Sequence, residues 1–167
     1  MAKPKTIRQT VTIKGATPAQ VYRAYVTAKE HAAFTGAPAR GPAREGAKVS
    51  AFGGYITAHH LELDPDRRIV QAWRTTDFPA DAPDSLFDLT LTAVPGGTKV
   101  ALVHSDLPAE QAADYASGWK EYYWLPLQKH FAALAGQGAK GATRTPAPAA
   151  KGRPKATART RRKPAAK

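Results

Sequence analysis

The chain of 167 residues carries 25 lysines and arginines against 13 aspartates and glutamates, a formal net charge of +12, and no cysteine. The missing cysteines exclude a disulfide framework, thiolate metal sites and a cysteine nucleophile together. Ten of the basic residues and none of the acidic ones lie in Gly136–Lys167, which leaves 15 against 13 in Met1–Ala135, a nearly neutral body with a polycation attached. The body, 1–135, fits one domain, large enough to bury roughly two-thirds of its unfolded surface without staples. Met1–Thr10 is basic and polar and lacks the apolar run of a secretory signal. No stretch approaches the length that crosses a bilayer. The expectation is a cytoplasmic protein with no membrane insertion, nucleoid-associated if the basic segment meets DNA.

Ile7–Ile13 alternates, with Ile7, Gln9, Val11 and Ile13 on one side and Arg8, Thr10 and Thr12 on the other, which predicts a strand. Gly15 turns the chain. Thr17-Pro18-Ala19-Gln20 then predicts a helix start, a capping box with proline at the first helical position. Thr27-Ala28-Lys29-Glu30 repeats the signal for a second short helix that ends near Gly36. Ala37–Gly46, rich in Pro, Gly and Arg, predicts a loop. Lys48–Phe52 and Tyr55–Leu63 flank Gly53-Gly54, a hairpin signal, and Asp64-Pro65-Asp66 separates the second of them from Arg68–Arg74. After the acidic segment Thr76–Asp84, Leu86–Val94 and Thr98–Ser105 flank Pro95-Gly96-Gly97. One long helix, Ala109–Leu134, closes the body. Within it Pro126 cannot donate to the carbonyl of Tyr122, which predicts a kink. The order of strand, two short helices, antiparallel meander and long helix predicts an α+β fold, the last helix lying across one face of a curved sheet.

That helix carries Tyr115, Trp119, Tyr122, Tyr123 and Pro126 on one face, with Leu127, His130 and Leu134 continuing it. Two outcomes are open. The aromatics are simple core, or a helix this bulky laid over a concave sheet leaves a cavity. Strand alternation supplies the facing residues: Tyr55, Thr57, His59, Leu61 and Leu63; Phe87, Leu89 and Leu91; Val100, Leu102 and His104. On Arg68–Arg74 the pattern is ambiguous, and Ile69, Gln71 and Trp73 are chosen because Trp73 is the largest apolar group. The predicted lining is therefore Tyr55, His59, Gln71, Trp73, Phe87, Leu89, Leu102, His104, Tyr115, Trp119, Tyr122 and Tyr123. This mixture suits a small apolar ligand oriented by one or two hydrogen bonds. His59 and His104 are the candidate general acid/base groups, since histidine titrates near neutral pH. The same alternation turns Glu62, Asp88 and Arg74 outward, so neither histidine gains a charged partner. His59-His60 lacks a third ligand at metal-binding spacing, and no glycine-rich phosphate loop precedes a helix, so neither metal nor cofactor is expected. Trp124 and the acidic segment Asp77–Asp84 are candidates for a protein contact.

Several of these segments resemble one known family. Phe52-Gly53-Gly54-Tyr55-Ile56-Thr57, Leu61-Glu62-Leu63 and Arg68-Ile69-Val70-Gln71-Ala72-Trp73-Arg74 resemble the AHSA-type domain. So do Val103-His104-Ser105-Asp106-Leu107-Pro108, Gly118-Trp119 and Tyr122-Tyr123-Trp124-Leu125-Pro126-Leu127. This is the C-terminal module of activators of the ninety-kilodalton heat-shock protein ATPase and of a bacterial group named after it. It belongs to the START-like (SRPBCC) superfamily. The resemblance spans Thr6 to Leu134 and implies the helix-grip fold, a curved antiparallel sheet wrapped around a long C-terminal helix. It implies a non-enzymatic module that binds a small apolar ligand or a chaperone or other protein partner. Polyketide cyclases of the same superfamily give the alternative, a pocket enzyme using His59 or His104.

From Gly136 the residues are Ala, Gly, Pro, Thr, Lys and Arg with a single Gln137, and no Leu, Ile, Val or aromatic side chain. Nothing there repays the entropy of ordering the backbone, so 136–167 is expected to be disordered. A flexible polycation binds polyanions by releasing their counterions, independently of sequence and with strong salt dependence. Lys151, Arg153, Lys155, Arg159, Arg161, Arg162 and Lys163 are the expected nucleic-acid contacts. The composition resembles the tails of linker histones and bacterial histone-like proteins. Lys151-Gly152-Arg153-Pro154-Lys155 resembles the core of an AT-hook, whose arginine lies along a narrow minor groove.

Overall fold

A computed structural model describes residues 2–144. Seven strands form one antiparallel sheet in the order β1-β7-β6-β5-β4-β3-β2. β1 (Lys5–Lys14) buries Ile7 and Ile13 and leads through Gly15 into α1 (Pro18–Val26). The predicted capping box is present: the Gln20 amide donates to Thr17 Oγ1 at 3.2 Å, and the Thr17 amide to Gln20 Oε1 at 2.8 Å. α2 (Ala28–Thr35) follows at once. Thr27 occupies its cap position, but the hydroxyl makes no capping bond; the same residue ends α1, its amide donating to the Arg23 carbonyl. Gly36 closes α2 at φ 76°, a left-handed conformation that glycine adopts without penalty.

The segment expected to be loop holds a short edge strand, β2 (Ala39–Arg40), paired with β3 (Lys48–Ala51). The chain then passes through a tight turn at Phe52–Gly54 into β4 (Ile56–Asp64), β5 (Arg68–Thr75), β6 (Ser85–Val94) and β7 (Gly97–Leu107). Alternation gives the inward faces of the last three correctly: Ile69, Gln71 and Trp73, then Phe87, Leu89 and Leu91, then Val100, Leu102 and His104 are all buried. On β4 it fails. A bulge leaves Leu61 unpaired between the His60↔Gln71 and Glu62↔Val70 pairs. The extra residue inverts the phase upstream of it. Ile56, Ala58 and His60 therefore face the core, while His59 and Leu61 are exposed.

The closing helix comes in three parts. α3 (Ala112–Trp119) runs into a π turn at Lys120–Trp124 and then α4 (Leu125–Arg144). The π turn is the local answer to Pro126: the amide of Leu125 reaches back to the carbonyl of Lys120, one residue beyond the α-helical partner. The extra residue also brings both Tyr123 and Trp124 inward, 3% and 5% exposed, and leaves Tyr122 at 54%. Trp124 is thus not the surface group the sequence suggested; it stacks on Trp119 and donates to Gln9 Oε1 at 2.7 Å.

The compact unit ends at Phe131. The α4 backbone stays helical through Gly136 to Arg144, where composition predicts disorder. Extending an existing helix needs no nucleation, which carries the backbone on although three of these nine residues are glycine. The candidate nucleic-acid contacts from Lys151 to Lys163 lie outside the described residues. No helix of the described residues is long and apolar enough to cross a membrane.

Candidate ligand cavity

Between the Phe52–Tyr55 turn, β5 and the closing helix lies a cavity of about 340 Å³, at the small end of the range for ligand pockets. It is lined by Phe52, Tyr55, Ile56, Trp73, Asp114, Tyr115, Gly118, Trp119, Tyr122 and Tyr123. Trp73, Trp119 and Tyr123 are almost wholly buried and form its floor, while Tyr55 and Tyr122 are exposed at its rim. Of the twelve residues predicted to line a pocket, the structure brings six to this cavity: Tyr55, Trp73, Tyr115, Trp119, Tyr122 and Tyr123.

The others lie elsewhere. Phe87, Leu89 and Leu102 are solid core, 0% to 1% exposed. Gln71 lines a second, much smaller void of about 30 Å³ with Tyr25, His31 and His60. His59 points to solvent because of the bulge at Leu61, and can neither line the cavity nor act in it. His104 is fully buried beneath Trp119, with both ring nitrogens engaged. Ser85 Oγ donates to the Trp73 carbonyl at 2.7 Å, so it accepts from His104 Nε2–H at 2.9 Å. His104 Nδ1 accepts the indole N–H of Trp119 at 3.0 Å. Burial lowers its pKa to about 3, so the ring is neutral and its tautomer fixed. His104 is a buttress for Trp119 rather than an acid or base.

Two buried polar groups escaped sequence reasoning. His31 on α2 donates from Nδ1 to the Tyr25 carbonyl at 2.8 Å and accepts at Nε2 from the Tyr123 hydroxyl at 3.0 Å. Burial lowers its pKa and raises that of Tyr123 far above the usual phenol range. His60 accepts the Gln71 amide at Nδ1, 3.3 Å away, while Gln71 Oε1 accepts from Tyr25. Its Nε2 and the indole nitrogen of Trp73 are buried without a hydrogen-bond partner among the described residues. Only the bulge, invisible in the pattern, decides that His60 and not His59 turns inward.

The rim is built from a chain of bonds between the segment after β5 and α3. The Asp77 amide donates to Thr75 Oγ1, and the Gln111 side chain donates to the Asp77 carbonyl. Tyr115 donates to Gln111 Oε1 at 2.8 Å and so accepts from the Thr75 hydroxyl at 2.6 Å. Burial pushes the Tyr115 pKa up to about 12. Tyr55 donates to Asp77 Oδ2 at 2.8 Å. The acidic segment beyond is folded around Arg74, whose guanidinium reaches the Pro79 and Ala82 carbonyls and Asp84 Oδ1. Among the described residues no three His, Cys, Asp or Glu side chains are grouped so as to hold a metal ion.

A curved seven-stranded antiparallel sheet closed by a long C-terminal helix is the helix-grip architecture of the START-like superfamily. The chain belongs to the Activator of Hsp90 ATPase homolog 1-like family, whose model matches residues 15–132. It is 28% identical over 114 residues to the human Activator of 90 kDa heat shock protein ATPase homolog 1, a match covering 68% of this chain and 33% of the human protein. The chain thus spans about a third of the length of the curated relatives it matches. Its fold is shared with an HSP90 activator from Plasmodium falciparum at TM-score 0.68 and 19% identity, over 78% of this chain and 97% of that one. The Aha1 dimer from Colwellia psychrerythraea matches at TM-score 0.61 and 20% identity, over 71% and 90%.

Proposed function

We propose that this domain works by holding a small, largely apolar molecule in the cavity beneath α3 and the π turn, not by catalysis. One observation carries the reading: the core is closed around His104, yet about 340 Å³ stays open beside Trp73 and Trp119. Neither His104 nor His31 keeps a free ring nitrogen for proton transfer, which counts against the pocket-enzyme alternative. The test is a panel of small apolar compounds titrated against tryptophan fluorescence, since two of the three tryptophans line the cavity. Wild-type protein should respond. Gly118→Met, which places a side chain into the cavity, should lose the response while keeping its thermal transition. A well-folded G118M that responds like wild type would sink the reading. Trp119→Ala is the harsher companion: loss of binding with the fold intact supports the pocket, and simple unfolding makes Trp119 core.

A second reading, a chaperone partner, is favoured by the 28% identity to proteins named as activators of a 90 kDa heat shock protein ATPase. Tyr122 and Leu125, both about half exposed on the closing helix, are the side chains we would assign to such an interface. The basic segment adds a separate proposal, sequence-independent nucleic-acid binding. Replacing Arg159, Arg161, Arg162 and Lys163 with glutamine in the full chain should weaken duplex-DNA binding. Its salt dependence should flatten by about 0.9 in the log–log slope for each phosphate no longer neutralised. An unchanged slope would remove these residues from any interface.

A further inference from the structure

Resting on the pocket reading above, the chemistry of the lining narrows the kind of ligand. Seven of the ten lining residues are aromatic, and their rings are inclined rather than parallel. Phe52 meets Tyr122 at 75° and Tyr123 at 67°, Trp73 meets Tyr115 at 86°, and Trp119 meets Tyr123 at 47°. Parallel rings clamp a flat plate; inclined rings close round a compact group and offer it faces from several sides.

The polar groups of this lining are strongly one-sided. Hydrogen-bond donors are already committed inside the protein: Trp119 to His104, Tyr123 to His31, Tyr55 to Asp77 and Tyr115 to Gln111. Two donors of the lining make no hydrogen bond among the described residues: the deeply buried indole N–H of Trp73 and the Tyr122 hydroxyl, which is exposed to water at the rim. An anionic ligand would therefore lose its hydration and find almost no donors, at high cost. Among the described residues no Lys, Arg or His lines the cavity, and the one charged lining residue is Asp114, exposed at the mouth. A second carboxylate, Asp77, stands behind the Tyr55 hydroxyl. Lys120 and Glu121 are exposed and line no part of it. Asp114 also lies in the first turn of α3, where the helix dipole favours a carboxylate. That accounts for one acidic group, but not for the absence of cationic side chains from the lining among the described residues.

We propose that the cavity is an aromatic cage for an organic cation, a substituted ammonium group carried on a small apolar body, with Asp114 facing the charge at the mouth. Aromatic faces attract such cations through their quadrupoles, most strongly where both partners leave water. A quaternary ammonium needs no hydrogen-bond acceptor, which fits a lining in which Tyr55, Tyr115, Tyr123 and Trp119 are bonded to Asp77, Gln111, His31 and His104 outside the cavity.

The test titrates the full chain with three ligands of one shape: benzyltrimethylammonium, its uncharged carbon isostere neopentylbenzene, and the anion 3-phenylpropionate. Binding is read by tryptophan fluorescence and by chemical-shift changes of the lining aromatics. The cation should bind about tenfold or more tighter than the neutral isostere, and the anion weakest. Tyr122→Leu keeps apolar bulk but removes a ring at an exposed position, so the fold is not at stake. It should weaken the cation several-fold and leave the isostere nearly unchanged, and Asp114→Asn should do the same. Equal binding of cation and isostere, or a preference for the anion, would overturn the cation proposal while leaving an apolar pocket in place. No binding of any of the three would remove the cage and count against the pocket reading as well.

Discussion

Two regions of the same interior, joined through Trp119, end differently. Around His104 the space is filled and one continuous chain of hydrogen bonds runs from the Trp119 indole through the imidazole and Ser85 to the Trp73 carbonyl. On the other side of Trp119, toward Phe52 and Tyr122, the same sheet and helix leave a cavity. Hydrophobicity does not separate the two, since both are rich in aromatic rings. What separates them is where the chain withholds side chains. Gly118, the one glycine of the lining among the described residues, faces Tyr122 on the helix. A Cβ at Gly118 would lie 3.9 Å from the Tyr122 ring, an ordinary van der Waals distance. The space beside Gly118 therefore follows from the missing side chain there and is not a packing failure.

The largest expected effect tests the closed side. Phe87 is fully buried, stacked on Tyr25 at 5.2 Å and packed on Trp119 at 5.3 Å. Phe87→Ala should cost about 3–5 kcal/mol in urea unfolding, a large part of the stability of a domain this size. Tyr122→Ala, at the open side, should cost under about 0.5 kcal/mol. Similar losses at the two positions would break the comparison.

His104 sharpens it through pH. Its folded pKa lies near 3, below the unfolded value of 6.5, so the unfolded chain binds a proton there first as acid is added. Its contribution is fully present above pH 6.5 and is lost progressively between 6.5 and 3, with a limiting slope on the order of 1.4 kcal/mol per pH unit. Burial lowers His31 and His60 too, and both act in the same direction. His104→Leu should cost about 1–3 kcal/mol at neutral pH, because the Trp119 N–H is orphaned, and should make the acid limb shallower. An acid limb as steep as wild type would mean that His104 is not held neutral by its surroundings.

These contrasts show what could be read from sequence. The order of elements, the Thr17 cap and the inward faces of β6 and β7 follow from local pattern, because each depends on residues two to four apart. The face of β5, where Val70 is buried too, is chosen by the size of Trp73. The inward face of β4 does not. Working back from Leu61 and Leu63 chooses His59, whereas one unpaired residue at the bulge makes His60 the buried histidine. The closing helix behaves alike. Pro126 announces a disturbance, but whether it is resolved as a kink or as a π turn depends on which aromatics the sheet accepts. That choice decides that Trp124 is core and Tyr122 rim. Both misplacements come from an inserted residue, which shifts the phase of everything beyond it while leaving the composition unchanged. The cavity was legible as a set of aromatics on one helical face. Its true far wall is Phe52, in the turn that periodicity cannot describe, and Ile56, the first residue of β4, which the bulge turns inward.

The smallest expected effect in stability separates cavity from core most cleanly. Methionine at Gly118 replaces a poor helix former within α3, which by propensity alone is worth roughly 0.5–1 kcal/mol in favour of the variant. In a filled core an added side chain of that size would instead cost about 1–3 kcal/mol through forced rotamers and backbone shifts. The sign of the change in unfolding free energy for G118M therefore reports whether the space beside Trp119 is available to a side chain. A neutral or stabilised variant means the cavity is a place the fold keeps open without strain. A destabilised one means the helix and sheet close over it in solution, and the contrast with the His104 side disappears.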